Sequence, residues 1–203
     1  MGDEAPRHGA WASSNETERV RRRDGALASS AYPQRRRPRL PAFGYVGCYA
    51  YHVILTTSGR AAHFGSSAFA RASAGRLRQV ADRLSFRLLA YCFMPDHVHA
   101  LVLGRDDSAN LLTFVQRFKQ VSAYRYKRLM MRQLWQRSYF EHVLRHEDDA
   151  RQIAAYIWEN RVRAGLAADR DAYPFSGPSE AMGPDRPEGL SLRSPRLAGV
   201  PRG

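Results

Sequence analysis

The chain has 203 residues, 44% hydrophobic and 25% charged, an ordinary globular composition that buries a core in one domain without disulfides or structural metals. Thirty-two basic residues stand against 19 acidic ones, a formal charge of +13, and every basic residue but Lys119 and Lys127 is arginine. Such a field favours a polyanion, nucleic acid first and an anionic membrane surface second. Two cysteines make no disulfide framework, no apolar run is long enough for a membrane helix, and no apolar stretch follows the basic N-terminus; the expectation is a cytoplasmic protein with no membrane partner.

Residues 1–44 read as a disordered Arg-rich tail, with triplets at Arg21–Arg23 and Arg35–Arg37 and no apolar period. A domain is expected over 45–177, followed by a Pro- and Gly-rich disordered tail over 178–203. The charge is not confined to the tails: residues 45–175 hold nineteen basic and eleven acidic side chains. Within the domain, Tyr45–Thr57 is rich in β-branched and aromatic residues and predicts a strand. A helix follows over Ser66–Leu84, with Phe69, Leu77, Val80, Ala81 and Leu84 at helical spacing and Ser66 or Ser67 as N-cap. Phe86–Met94 and His97–Leu103 predict two strands joined by a tight turn at Pro95-Asp96. Ser108 is placed to cap a helix carrying Leu111, Leu112, Val115, Phe118 and Leu129 on one side. A short strand over Tyr139–Arg145 and a last helix from Glu147 to Arg163, stopped by Gly165, complete the order. The first six elements form the βαββαβ pattern of an α+β ferredoxin-like sandwich, with the third strand central and one C-terminal helix added.

Three local signals bear on chemistry. In Met94-Pro95-Asp96-His97-Val98-His99, the histidines two apart on a strand point to one face, either as two ligands of one metal ion or as half-buried side chains satisfied by hydrogen bonds. In Tyr156-Ile157-Trp158-Glu159-Asn160, Tyr156 and Asn160 share a helix face; the phenol can be a nucleophile and the amide a ligand, or the pair can be a packing tyrosine and a carbonyl cap. The stretch Ser108–Phe140 contains no acidic residue and seven positive charges interleaved with aromatics, which reads as a nucleic-acid surface. Arg117, Lys119, Arg125, Lys127 and Arg128 are its candidate phosphate contacts, while Phe114 and Phe118 read as core.

In this order the motifs MPDHVH, WQRSYF, YIWEN and VRAGL, with the ending Tyr173-Pro174-Phe175-Ser176-Gly177, resemble the single-tyrosine HUH (IS200-like) transposases, and among them the REP-associated tyrosine transposases. The resemblance spans about 45–177 and implies a ferredoxin-like fold whose additional C-terminal helix carries the catalytic tyrosine. It further implies an enzyme that cleaves and rejoins single-stranded, hairpin-forming DNA through a 5′-phosphotyrosine intermediate. His97, His99 and Asn160 match the metal-ligand positions, Tyr156 matches the nucleophile, and the implied ion is Mg²⁺ or Mn²⁺. Related enzymes pair so that one chain's tyrosine helix completes the other's histidine site; the sequence leaves a homodimer, and cis or trans completion, open.

Two features depart from the family pattern. Arg161 follows Asn160 where the family commonly has proline, which bears on how the helix ends, and the Arg-rich extension has no counterpart. Tyr139, after Trp135-Gln136-Arg137, is a rival nucleophile that comes without a candidate ligand. Two other readings of the same residues are a nucleic-acid-binding module of this fold with no chemistry, and a metal-dependent nuclease that uses water in place of Tyr156.

Overall fold

The computed structural model describes residues 43–145, 150–168 and 173–177, without the side chains of Arg125 and Leu129. Apart from Phe43 and Gly44, the expected tails lie outside these residues, as does the expected helix start at Glu147. The elements are β1 (Ala50–Thr56), α1 (Ser67–Arg83), β2 (Phe86–Met94), β3 (His97–Gly104), α2 (Leu111–Met130), β4 (Phe140–Val143), α3 (Ala150–Arg163) and β5 (Ser176–Gly177), with two short 3₁₀ turns between β1 and α1.

The strands form one antiparallel sheet in the order β4-β1-β3-β2-β5. The first four follow the ferredoxin-like order with β3 central, and β5 extends the sheet beyond β2. Alternation then sorts side chains to two faces. Tyr51, Val53, Leu55, Tyr91, Phe93, Val98, Ala100 and Val102 pack with Leu77, Val80, Phe114 and Phe118 of α1 and α2 in the larger core. Ala50, Ala90, Cys92, Met94 and Leu101 occupy the other face and pack with Ile153, Ala154 and Ile157 of α3. The domain is therefore a sheet between two helix layers. The register of β2 shifts between Leu88 and Ala90, and this bulge keeps both halves of the strand in phase: Phe86 and, beyond the shift, Tyr91 and Phe93 all reach the larger core.

Three local expectations are corrected. The first strand starts at Ala50, not Tyr45, because Tyr45 (φ 53°) and Gly47 (φ 105°) are in left-handed backbone that no strand accommodates. Gly47 N–H instead donates to Ala109 O at 2.8 Å, and Val46 bridges to Asn110. The cap of α2 is Asn110, whose side chain accepts the Thr113 N–H at 3.0 Å; Ser108 is tied to Asp106 in the preceding turn. Ser66 holds the N-cap place of α1 but makes no side-chain cap bond. As expected, α3 is followed by a turn at Gly165 with φ 67°, where Leu166 N–H returns to Arg161 O at 2.8 Å.

The end of β3 depends on one small residue. Gly104 N–H donates to Tyr49 O at 3.0 Å, and a Cβ built on Gly104 falls 2.1 Å from Gly47 O. That oxygen belongs to backbone, which cannot turn aside as a flexible side chain does. Gly104→Ala is expected to destabilise the fold by about 2–3 kcal/mol, the scale of an overpacked core, read as a lowered urea midpoint with unchanged slope.

Candidate active site

His97 and His99 enter the site from β3, opposite Thr56 and Ile54 of β1, on the face that α3 covers. The strand period thus turns both imidazoles to one side and sends Val98 into the larger core. The rings meet edge to face at 74°, with Nε2 to Nε2 at 3.1 Å. His99 is buried at 4% exposure, while His97 is partly open to solvent.

Each ring is also held through Nδ1. His97 Nδ1 donates to Asp96 Oδ1 at 2.6 Å, and the other carboxylate oxygen of Asp96 accepts from Arg60 at 3.3 Å. Burial raises the Asp96 carboxyl, but His97 and Arg60 together outweigh it and hold its pKa below the usual carboxylate value. His99 Nδ1 lies 3.2 Å from Nε2 of His52, a buried residue of β1. Burial, and the nearby His142, push the His52 pKa down to about 4. His99 is pushed well below its ordinary value by burial first and then by His97 and His52. At neutral pH these two rings are neutral, the form in which imidazole has a lone pair to offer.

Tyr156 comes to the same place from α3, its ring edge-on to His99 with centroids 6.1 Å apart. Asn160 follows one turn later; its Nδ2 donates to Tyr156 O at 2.9 Å, so its Oδ1 is the atom left to accept or ligate. Arg163, at i+7 on the same stripe, sets its guanidinium 5.5 Å from the centre of the Tyr156 ring. His97, His99 and Tyr156 are thus gathered within one chain, while Asn160 makes no hydrogen bond to either histidine. Tyr139 is elsewhere: it packs with the larger core on the opposite face, beneath Lys119.

The donor set can be tested against a metal. Two imidazole nitrogens about 2.1 Å from one ion stand about 3.0–3.4 Å apart at right or tetrahedral angles, and the observed 3.1 Å falls in that span. Among the described residues no group of three His, Cys, Asp or Glu side chains is placed to hold a metal. Among them a third protein ligand can only be of another type, such as the Asn160 amide oxygen. The pair fits an ion as two nitrogens of a site that other groups complete.

Arg161, the departure from the family pattern, does not end the helix, which runs on to Arg163. Its side chain turns inward at 3% exposure, donating to Ser176 Oγ of β5 and lying against the Cys92 thiol. Burial raises that thiol to about 12 in spite of the arginine. Arg161 thereby ties the far end of α3 to the β2–β5 edge.

The candidate phosphate contacts divide. Lys119 Nζ is committed to Gln136 O at 2.7 Å and Arg137 O at 3.0 Å, holding the loop after α2. Lys127, with that same Lys119 and with Arg132, Arg137, Leu134 and Trp135, lines an open groove of about 540 Å³ beside that loop. Arg117 faces the opposite side of α2, with Arg76 and Arg83. Arg128 lies over the exposed Tyr124 ring, 5.8 Å from its centre, and the Arg125 side chain is outside the described residues. The groove reaches the histidines through backbone: Ser58 N–H donates to Leu134 O, Gln136 N–H to Thr56 O, and Thr57 N–H to Asp96 O. Sequence reading singled out neither Asp96 nor His52 as a site residue, and it counted Arg132 and Arg137 in the basic stretch without placing them among the candidate phosphate contacts. Asp96 was detectable as a carboxylate beside a candidate ligand; His52, 47 positions away, was not.

Residues 45–160, more than half of the chain, match the family described as IS200-like transposase, and the chain belongs to that family. It is 26% identical over 110 residues to a Haemophilus influenzae protein provisionally named a REP-associated tyrosine transposase, covering 49% of this chain and 62% of that one. It is 28% identical over 94 residues to the REP-associated tyrosine transposase of Escherichia coli K12, covering 45% and 53%. The matches thus span little more than half the length of these curated relatives. A solved structure of a REP-associated tyrosine transposase bound to a REP hairpin has the same fold, with a TM-score of 0.57 at 18% identity over 71% of this chain and 82% of that one.

The buried neutral histidines impose a pH dependence. The unfolded chain takes up protons below about pH 6.5 that folded His52 refuses down to about pH 4. Stability is therefore complete above about pH 6.5 and falls as pH drops toward 4, by about 2 kcal/mol at pH 5 from His52 alone. His99 adds in the same direction. Urea midpoints at pH 7.5 and 5.0 are expected to show the loss, and a His52→Phe variant that folds is expected to lose less.

Proposed function

We propose that this protein is a cytoplasmic single-tyrosine transposase that cleaves and rejoins single-stranded, hairpin-forming DNA, with Tyr156 as nucleophile and His97, His99 and Asn160 as ligands of Mg²⁺ or Mn²⁺. The observation that carries the reading is the meeting of the Tyr156 ring with the paired imidazoles in one chain. Family membership supports the reaction class. When bound, the ion supplies polarisation of the scissile phosphodiester and stabilises charge developing on its oxygens.

The chain's own groups do the rest. Tyr156 Oη gives up its proton and attacks phosphorus, the P–O3′ bond breaks, and the departing oxygen takes a proton to become a free 3′-OH. The protein then holds the 5′ end as a phosphodiester, whose conserved bond lets a later 3′-OH attack and rejoin strands without ATP. Arg163, beside the Tyr156 ring, places positive charge where the phenolate develops and the phosphate arrives. Of the groove cations, Lys127, Arg132 and Arg137 are the phosphate contacts we favour over Lys119, whose ammonium is committed to Gln136 O and Arg137 O; the loop that carries Arg132 and Arg137 runs by backbone to Asp96.

Two measurements test this. With manganese and labelled hairpin oligonucleotides, the wild type is expected to carry label to protein mass in denaturing gels, and Tyr156→Phe to carry none. Strand cleavage undiminished in Tyr156→Phe would establish a water-using nuclease instead, and tight binding with no cleavage on any hairpin would establish a binding module. Replacing both Arg132 and Arg137 by glutamine is expected to weaken single-stranded DNA binding and to lower the slope of log affinity against log salt by about 1.4, near 0.7 per lost phosphate contact. An unchanged slope would remove the groove from the DNA path.

A further inference from the structure

The buried stripe of α3 consists of Ala150, Ile153, Ala154, Ile157 and Arg161, four apolar side chains and one arginine. Measured from Ile157 at about 100° per residue, Ile153 stands at about −40°, Ala154 at about +60° and Arg161 at about +40°. On the same scale Tyr156 and Asn160 stand at about −100° and −60°, and Trp158 at about +100°. One flank of the helix therefore carries Asn160 and Tyr156, whose ring meets His99 of β3. The other carries Trp158 and Arg161, which meet β5.

Two polar bonds pin that second flank: Arg161 Nη1 donates to Ser176 Oγ, and Trp158 Nε1 donates to Gly177 O at 3.4 Å. Their receiver is itself fixed to β2. Ser176 pairs with Cys92 and Gly177 with Tyr91, Phe93 N–H donates to Phe175 O at 3.0 Å, and Tyr173 Oη donates to Phe93 O at 2.6 Å. Apolar packing has no direction, so the alanines and isoleucines of the stripe hold α3 down without fixing its roll. A buried guanidinium bond is directional and breaks when the helix turns. The distances make this matter. A side chain at the helix rim lies about 5–6 Å from the axis, so a roll of about 10° carries it about 1 Å. A misplacement of about 1 Å between reacting groups can cost about 100-fold in rate.

We propose that Arg161 is a positioning residue that, through Ser176 and together with Trp158, sets the roll of α3 and thereby the aim of Tyr156 at the histidine pair. The inference rests on the reading of Tyr156 as nucleophile, and it assigns a role to a side chain on the far flank of the helix from the chemistry. Burial supports it: Arg161 is only 3% exposed. Replacing a buried charge by an apolar side chain of similar volume is often neutral or stabilising, so stability alone gives no reason for an arginine on this stripe. Specifying one orientation does. Arg161 stands where the family commonly has proline, whose ring offers no donor for such a bond.

The experiment compares wild type, Arg161→Met and Ser176→Ala as full chains. Methionine is unbranched, apolar and adaptable, so Arg161→Met is expected to fold with a urea midpoint near that of the wild type. Ser176→Ala, which removes only the acceptor, carries the same test if Arg161→Met does not fold. The first readout is the nuclear Overhauser contact between the Tyr156 and His99 rings, taken without metal. With centroids 6.1 Å apart and the rings edge-on, it is expected in the wild type and is expected to fade in the variants. The second readout uses manganese and a saturating labelled hairpin oligonucleotide. The single-turnover rate of covalent adduct formation is expected to fall about 10–100-fold in Arg161→Met and less in Ser176→Ala, with hairpin affinity unchanged. A ring contact undiminished in the folded variants overturns the positioning role, as does a rate loss matched by an equal loss of hairpin affinity. A faded ring contact with an undiminished adduct rate overturns instead the reading of Tyr156 as nucleophile. So does a wild type that forms no adduct on any hairpin, an outcome on which the ring contact does not depend.

Discussion

The antiparallel pairing of β1 with β3, in the register that sets Thr56 opposite His97 and Ile54 opposite His99, decides which face of the sheet carries the histidine pair and which packs the larger core. A slip of one residue would exchange the two, carrying Val98 and Ala100 toward α3 and both histidines into the aromatic core under α1 and α2. Burial of Val53 and Leu55 on the core face holds that register far more strongly than any bond at the site. The bulge in β2 serves the same end on the other flank, keeping Tyr91 and Phe93 in the larger core and Cys92 and Met94 beneath α3.

On the histidine face the electrostatics are arranged around neutrality. Two buried imidazoles are kept uncharged by their surroundings, while the partly open His97 is set against a carboxylate that Arg60 helps to keep ionised. Among the described residues, positive charge stands at the margins of these rings: Arg60 on Asp96, Arg163 beside Tyr156, and the groove beside the α2 loop. A basic protein thus presents to its site both neutral donors suited to a cation and, at the margins, charges suited to phosphate.

The covering helix α3 is what joins a histidine pair to a tyrosine. Its apolar stripe of Ile153, Ala154 and Ile157 docks on the sheet, and the adjoining stripe of Tyr156, Asn160 and Arg163 is carried to the edge of the pair. Arg161 anchors the end of that helix to β5 through Ser176. A residue read in the sequence as a perturbation of the helix end is a tie that sets its position.

Periodicity alone determined much of this protein. Alternation and helical spacing identified every main element, the motif order identified the family, and the i, i+2 and i, i+4 spacings put His97 beside His99 and Tyr156 beside Asn160, because such relations depend only on local backbone geometry. Local reading failed where the backbone leaves the ordinary regions, as at Tyr45 and Gly47, and where two residues compete for one cap, as Ser108 and Asn110 do. Tertiary structure alone decided that the tyrosine helix covers its own chain's histidines, that the Lys119 ammonium holds the loop whose Arg132 and Arg137 line the same groove, and that His52 stands behind His99. Those relations join residues tens of positions apart, and only strand pairing and the docking of apolar faces bring such residues within reach of one another.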